Sequence, residues 1–183
     1  MTGREPGAGP DVGMGPAHAT LAHEAERIVA RAQAGQPGWG ALQIRGLGWA
    51  TVELDRAARE LGPAVGGAPE LHFEPAPDDP VLGARSRRAR VGDRPWLVLL
   101  EPATEGRLAA FLARHGEGLA AVYAVGAATD SPVRPAAQLA TGPLGRQRWL
   151  AGDRDGPWLI LVSEDPNAGV EGDGRRGGGP GRP

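Results

Sequence analysis

One order of predicted elements occurs twice along this 183-residue chain. Alternating or continuous apolar runs predict strands, and short amphipathic runs that end at glycine predict helices. Between residues 41 and 101 these patterns give a strand, a helix and three further strands. A helix at 104–115 follows, and residues 119–163 repeat the order in abbreviated form. This duplication within about 125 residues favours a fold built from two similar modules.

The individual elements follow from the same patterns. The predicted strands are residues 41–54, 70–74, 84–91, 96–101, 119–126, 146–150 and 158–163, and the predicted helices are residues 55–62, 104–115 and 132–139. Residues 75–80, which include three prolines, are predicted to form a loop. Asp78 and Asp79 in that segment are predicted to form turns, because both lie among prolines.

The two ends of the chain differ in composition from its middle. Glycine and proline are concentrated there, which predicts disordered tails at 1–17 and 167–183. Residues 18–35 are predicted to form an N-terminal helix, with Thr20 as a possible N-cap and a narrow apolar stripe. The domain itself is predicted to cover residues 40–166.

Composition excludes several classes of function. The chain has no cysteine and no lysine, which excludes disulfides, zinc–thiolate sites, cysteine nucleophiles and Schiff-base lysines. With a formal charge of −2, the chain lacks the basic surface that general nucleic-acid binding requires. No run of 18 apolar residues or N-terminal signal core is present. We therefore expect a cytoplasmic protein with neither a nucleic-acid nor a membrane partner.

Three stretches of sequence carry a family resemblance. They are Trp49-Ala-Thr-Val-Glu-Leu-Asp-Arg-Ala57, Leu99-Leu-Glu-Pro102 and Leu108-Ala-Ala-Phe-Leu-Ala-Arg-His-Gly-Glu-Gly-Leu119. With these three stretches in this order, the chain resembles the vicinal oxygen chelate superfamily, which includes glyoxalases, bleomycin-resistance proteins and methylmalonyl-CoA epimerases. The resemblance covers residues 42–163. It implies an α+β fold of two βαβββ-like modules, the second abbreviated, which form a curved mixed sheet around a concave pocket beside an extra N-terminal helix.

The resemblance also implies positions for the ligands of a divalent metal. In this sequence they fall on Gly46, Val98, Ala120 or Ala121, and Ile160. None of these side chains has the imidazole, carboxylate or amide oxygen that binds a cation, and a shift by one residue supplies none. We therefore predict a metal-independent domain that uses no cofactor.

Strand alternation predicts which side chains face the pocket. If Val98 faces inward, Trp96 does too, because residues two apart share a face of the sheet. The same alternation places Tyr123 inward with Ala121 and Trp158 inward with Ile160, which are positions that the resemblance implies to face the pocket. These three rings predict an aromatic site for a planar or apolar molecule. Tryptophans on strands are also common core residues, so both roles stay open.

Polar candidates are few. His72 and Glu74 are two residues apart on a predicted strand, so they are candidates for acid–base catalysis or, alternatively, form a polar edge. Arg85 begins a basic cluster that is suited to an anionic substrate group or to a solvated sheet edge. Glu101 is predicted on the opposite face, paired with a helix arginine.

Two functions from different classes remain. The first is a metal-independent, glyoxalase-like domain that binds a small organic metabolite and catalyses isomerisation, cyclisation or a lyase-type proton transfer through His72 or Glu74. The alternative is a non-catalytic binding protein, as in antibiotic resistance. A third possibility is a degenerate module that docks a partner through the N-terminal helix. Whether the chain is an enzyme stays open at this stage, and the family resemblance implies a homodimer.

Overall fold

The computed structural model describes residues 16–35, 41–66, 71–90, 93–126, 139–152 and 156–163. These residues form three helices and one eight-stranded sheet. The helices are α1 (Pro16–Ala34), α2 (Leu54–Gly66) and α3 (Arg107–His115). The strands are β1 (Gln43–Ala50), β2 (Glu74–Asp79), β3 (Ala84–Ala89), β4 (Trp96–Pro102), β5 (Gly118–Val125), β6 (Ala140–Gly142), β7 (Gly145–Ala151) and β8 (Trp158–Val162).

The order of the strands confirms the predicted duplication. The sheet runs β2-β3-β4-β1-β5-β8-β7-β6, so each module contributes four adjacent strands. Within each module the first strand is parallel to the last, as β1 is to β4 and β5 is to β8. The two modules join where β1 pairs antiparallel with β5. The chain therefore has the α+β fold of two βαβββ-like modules that its sequence predicts.

The sheet curves until its two edges approach each other, so that it is nearly closed. The Tyr123 hydroxyl on β5 donates a hydrogen bond of 2.6 Å to Asp79 on the edge strand β2. The Arg88 guanidinium on β3 donates one of 3.0 Å to the Pro143 carbonyl, which follows the other edge strand β6. Both bonds span the space that the sheet encloses. The face that carries Tyr123 is therefore the concave, inner face.

The two faces of the sheet build two cores, because side chains alternate along each strand. The outer core packs against α1 and α2, and its buried strand residues include Leu47, Leu97, Leu99, Val122, Ala124 and Leu159. The inner core packs against α3, and its buried strand residues include Val98, Leu100, Ala121, Tyr123, Trp158 and Ile160. The inner face thus holds all the aromatic residues that alternation placed there.

Helix α1 lies on the outer face and contacts β1, β5, β8 and α2. Its residues Ala25 and Val29 are buried in the outer core. The apolar stripe proposed above as a docking surface for a partner is therefore packed against the chain's own sheet. None of the helices in the described residues is long and apolar enough to cross a membrane.

Two predictions about single elements need correction. The second strand is residues 74–79. The sequence had predicted a strand at 70–74 and a loop at 75–80. Prolines are tolerated there because β2 is an edge strand, where an N–H can face away from the ladder. Helix α1 begins at Pro16, so Thr20 is inside the helix and is not its N-cap. The helix predicted at 132–139 lies almost wholly outside the described residues.

Candidate functional site

Two rows of residues cross the four central strands on the inner face. Strand pairing aligns the first row as Trp96, Gly46, Tyr123 and Ile160, and the second as Val98, Gly48, Ala121 and Trp158. These rows include the positions to which the family resemblance assigned metal ligands. Neither row contains a carboxylate or an imidazole, and the described residues contain no group of three His, Asp or Glu side chains arranged to hold a metal ion.

The glycines in these rows allow neighbouring side chains to fill the inner face. A Cβ on Gly46 would stand 2.5 Å from Cδ1 of Leu144, which reaches across from the turn between β6 and β7. A Cβ on Gly48 would stand 2.9 Å from Cδ1 of Leu100 and 3.2 Å from the Tyr123 ring. The centre of the inner face is therefore packed with side chains rather than open.

The aromatic residues lie inside this packing. Tyr123 and Trp158 are both fully buried, whereas Trp96 is half-buried. The Trp158 ring lies 5.7 Å from Phe111 of α3 and 6.2 Å from Trp149 of β7, measured between centroids. The predicted inward direction of the three rings agrees with the structure. However, the rings of Tyr123 and Trp158 form part of a core rather than the wall of an open bowl.

Asp79 and Tyr123 form a buried pair. One Asp79 carboxylate oxygen accepts hydrogen bonds from the backbone N–H groups of Val81 and Leu82, and the other accepts the Tyr123 hydroxyl. Burial, followed by the charge and hydrogen bond of Asp79, raises the pKa of Tyr123 well above its usual value of 10.0. The phenol therefore stays protonated through the physiological range. The sequence predicted Asp79 only as a turn residue, and its role inside the sheet was missed.

Gln147 is another polar residue of the inner face that sequence reasoning missed. It lies on β7, where pairing with Val162 of β8 places it on the face of Trp149 and Ile160. It is fully buried, and in the described structure neither Oε1 nor Nε2 has a hydrogen-bond partner. Its only signal in the sequence was a polar side chain two positions before a tryptophan on a predicted strand.

His72, Glu74 and Trp96 lie toward the same edge of the sheet. Glu74, the first residue of β2, accepts a hydrogen bond of 2.7 Å from Arg88, while His72 precedes the strand and is exposed. The Arg88 guanidinium also lies 4.8 Å from the centre of the Trp96 ring, which is a cation–π distance. Glu74, Arg88 and Trp96 therefore form a half-open rim beside the filled inner face, and His72 precedes the strand on which Glu74 lies.

Arg85 and Glu101 lie on the outer face. Arg85 pairs with Glu101, which also accepts a hydrogen bond from the backbone N–H of Leu54 at the start of α2. The partner of Glu101 is therefore a strand arginine rather than the helix arginine that was expected. This position directs Arg85 away from Trp96, Tyr123 and the other residues of the inner face.

Glu117, in the Gly-Glu-Gly sequence that carried part of the resemblance, connects the two modules. Its carboxylate accepts hydrogen bonds from the Thr51 hydroxyl at 2.7 Å and the Val52 N–H at 2.8 Å, and pairs with Arg56. Desolvation opposes its ionisation, but these bonds outweigh it and lower the pKa of Glu117 below its usual value of 4.5. Glu117 therefore links the segment between β1 and α2 to the start of β5, where the two modules meet.

Two clefts border α1 on the outside of the sheet. One, of about 450 Å³, lies between α1 residues such as Arg27 and Arg31 and the segment around Gly156. The other, of about 480 Å³, lies between α1 and β1 and is lined by residues that include Leu42 and Arg94. Neither cleft includes Trp96, Tyr123, Trp158, His72 or Glu74.

No protein-family model matches the sequence, and no curated protein matches it. Solved structures do match. A methylmalonyl-CoA epimerase from Mycobacterium tuberculosis matches with a TM-score of 0.50 and 19% identity, over 65% of this chain and 85% of its own. A methylmalonyl-CoA epimerase in complex with methylmalonyl-CoA and NH4+ matches with a TM-score of 0.50 and 22% identity, over 68% of this chain and 97% of its own.

A third match is shorter. A hypothetical protein from Bacillus halodurans is matched over 59% of its length and 47% of this chain, at 21% identity and a TM-score of 0.39. At these identities the comparisons address the fold alone. Together with the strand order, the two epimerases show that the chain has a vicinal oxygen chelate-like fold.

Proposed function

We propose that this chain is a metal-independent domain that binds a small organic molecule on the inner face of its sheet and does not convert it. One observation carries the proposal. Among the described residues the buried titratable side chains are Asp79 and Tyr123, and they are bound to each other at 2.6 Å. The other side chains of the inner face are largely apolar and aromatic, which suits binding rather than proton transfer.

Catalysis by this pair is disfavoured. A general acid or base must exchange its proton near the working pH. The pKa of Tyr123 lies well above its usual value because the phenol is buried beside Asp79. The Asp79 oxygens already accept hydrogen bonds from two backbone N–H groups and from the phenol. Neither group is therefore placed to take a proton from a ligand.

Binding requires side chains of the packed inner face to move, and Leu144 is one of them. Leu144 occupies the space above Gly46, and it belongs to a short turn after the three-residue edge strand β6. The hydrogen bond from Arg88 to Pro143 holds that turn against β3. A ligand that displaces Leu144 would reach Gly46 on the inner face.

The experiment is a binding screen on the full chain. Methylmalonyl-CoA and a set of small organic compounds are tested by thermal shift with and without EDTA, and binding is located by ¹⁵N NMR. We expect at least one compound that raises the melting temperature equally under both conditions, shifts Trp96 and Trp158, and is recovered unchanged. Loss of binding in EDTA, turnover of the compound, or shifts confined to α1 would contradict the proposal.

A second candidate function is proton transfer at the rim, with His72 and Glu74 as acid and base. The half-buried Trp96 beside Arg88 favours it, since an anionic planar ligand would find a ring and a guanidinium there. His72→Ala and Glu74→Gln would then abolish turnover, whereas His23→Ala on exposed α1 would not. The binding proposal instead expects unchanged affinity and no turnover in all three variants.

The homodimer stays a prediction. Sedimentation of the full chain at micromolar concentration tests it, and a mass of 18.9 kDa would contradict it.

A further inference from the structure

The carboxamide of Gln147 is buried without a partner in the described structure. Its side chain is fully buried, and both Oε1 and Nε2 lack a hydrogen bond. Native proteins pair nearly all their buried polar groups, because an unpaired amide loses its hydration without compensation. An apolar side chain would avoid that penalty. The amide therefore points to a group that is not part of the chain.

The surrounding backbone makes room for this amide. Gly142 lies on β6, beside Gln147 of β7, and a Cβ at position 142 would overlap the carboxamide. On β7 the next residue on the same face is Trp149, whose ring packs against Trp158. The carboxamide thus lies on the inner face, close to Gly142 and two residues along β7 from Trp149.

We propose that Gln147 is the hydrogen-bonding residue of a ligand subsite on the inner face. The subsite takes a neutral, planar group with a donor beside an acceptor, such as a primary amide, a lactam or an imide. This inference rests on the proposed function, because it names the ligand chemistry of the same face. A carboxamide offers an N–H and a carbonyl oxygen side by side, and such a group pairs with both.

The neutrality of the group follows from the face itself. Asp79 is already paired with Tyr123, Arg88 is engaged by Glu74 and Pro143 at the rim, and the Arg107 guanidinium lies over the Trp149 ring at 4.5 Å. An anionic group beside Gln147 would have to draw Arg107 away from the Trp149 ring, and a cationic group would find the Asp79 carboxylate already paired, so a neutral group avoids both costs. The Trp149 ring, two residues along β7 on the same face, favours a flat group.

Two matched probes test the subsite. Benzamide carries a donor and an acceptor, whereas acetophenone has nearly the same shape and only the acceptor. Their dissociation constants are measured with the ¹⁵N-labelled full chain, from shifts of the tryptophan indoles and of the Gln147 side-chain amide. We expect benzamide to bind about tenfold tighter than acetophenone, because acetophenone leaves the Gln147 oxygen unpaired.

Variants of the protein test whether Gln147 is the source of the preference for benzamide over acetophenone. Gln147→Met should remove the tenfold difference, and Gln43→Met, at an exposed glutamine of β1, should keep it. Leu144→Ala should strengthen binding of both probes while keeping the preference, whereas Leu139→Ala, at an exposed leucine, should change neither. If Leu144→Ala fails to fold, the comparison of the wild type with Gln147→Met still decides the matter.

The outcomes separate this subsite from the proposed function. Equal affinity for both probes, with shifts at Trp158 but none at Gln147, overturns the subsite and leaves inner-face binding intact. A preference for benzamide that survives in Gln147→Met also overturns the subsite. Absence of any inner-face shift, with either probe and with every compound of the thermal-shift screen, overturns both proposals.

Discussion

Replacing Gln147 with methionine should stabilise the protein. Methionine is similar in length and adapts to irregular space, so the change removes two unpaired polar atoms without opening a large cavity. A buried polar group left unsatisfied costs about 1–3 kcal/mol, and we expect a gain of that order in the free energy of unfolding. For a chain of this length the gain corresponds to a rise in melting temperature of about 2–4 °C per kcal/mol.

Urea unfolding followed by tryptophan fluorescence measures this gain. The midpoint should rise in Gln147→Met while the slope with denaturant stays unchanged, because the surface exposed on unfolding is nearly the same. The control Gln43→Met replaces an exposed glutamine and should shift stability by no more than about 0.5 kcal/mol. A loss of more than about 1 kcal/mol in Gln147→Met would show that the amide is satisfied, for example by internal water, and would refute the reasoning.

Three further predictions concern other residues. Tyr123→Phe removes a hydrogen bond to buried Asp79 and should cost about 1.5–3 kcal/mol in urea unfolding; a change below 0.5 kcal/mol would contradict the pairing. Gly48→Ala crowds Leu100 and should cost about 1–3 kcal/mol by the same assay, whereas Gly118→Ala, with open space around its Cβ, should not. Because the pKa of Glu117 is lowered, its contribution to the free energy of unfolding is complete above pH 4.5 and is lost as the pH falls through the pKa of the folded state. Glu117→Gln should therefore reduce the loss of stability at acidic pH, and an unchanged pH dependence of stability would refute this.

Local sequence patterns determined most of the architecture. The family resemblance supplied one inward position on each strand, and period-two alternation from those positions correctly placed Trp96, Tyr123 and Trp158 on one face. The duplicated order of elements likewise predicted the two modules. Local signals failed at residues 74–79, where pairing with β3 overrides the loop preference of the prolines.

Tertiary structure alone decided what the inner face contains. Alternation indicates that a ring faces inward, but it does not show whether the enclosed space is open or filled. That depends on Leu144, which is nearly 100 residues away from Gly46 in the chain and occupies the space above it. The same holds for Gln147, whose unpaired amide becomes visible only once the curved sheet has buried it. Curvature and packing between distant segments produce both features, and no local pattern encodes them.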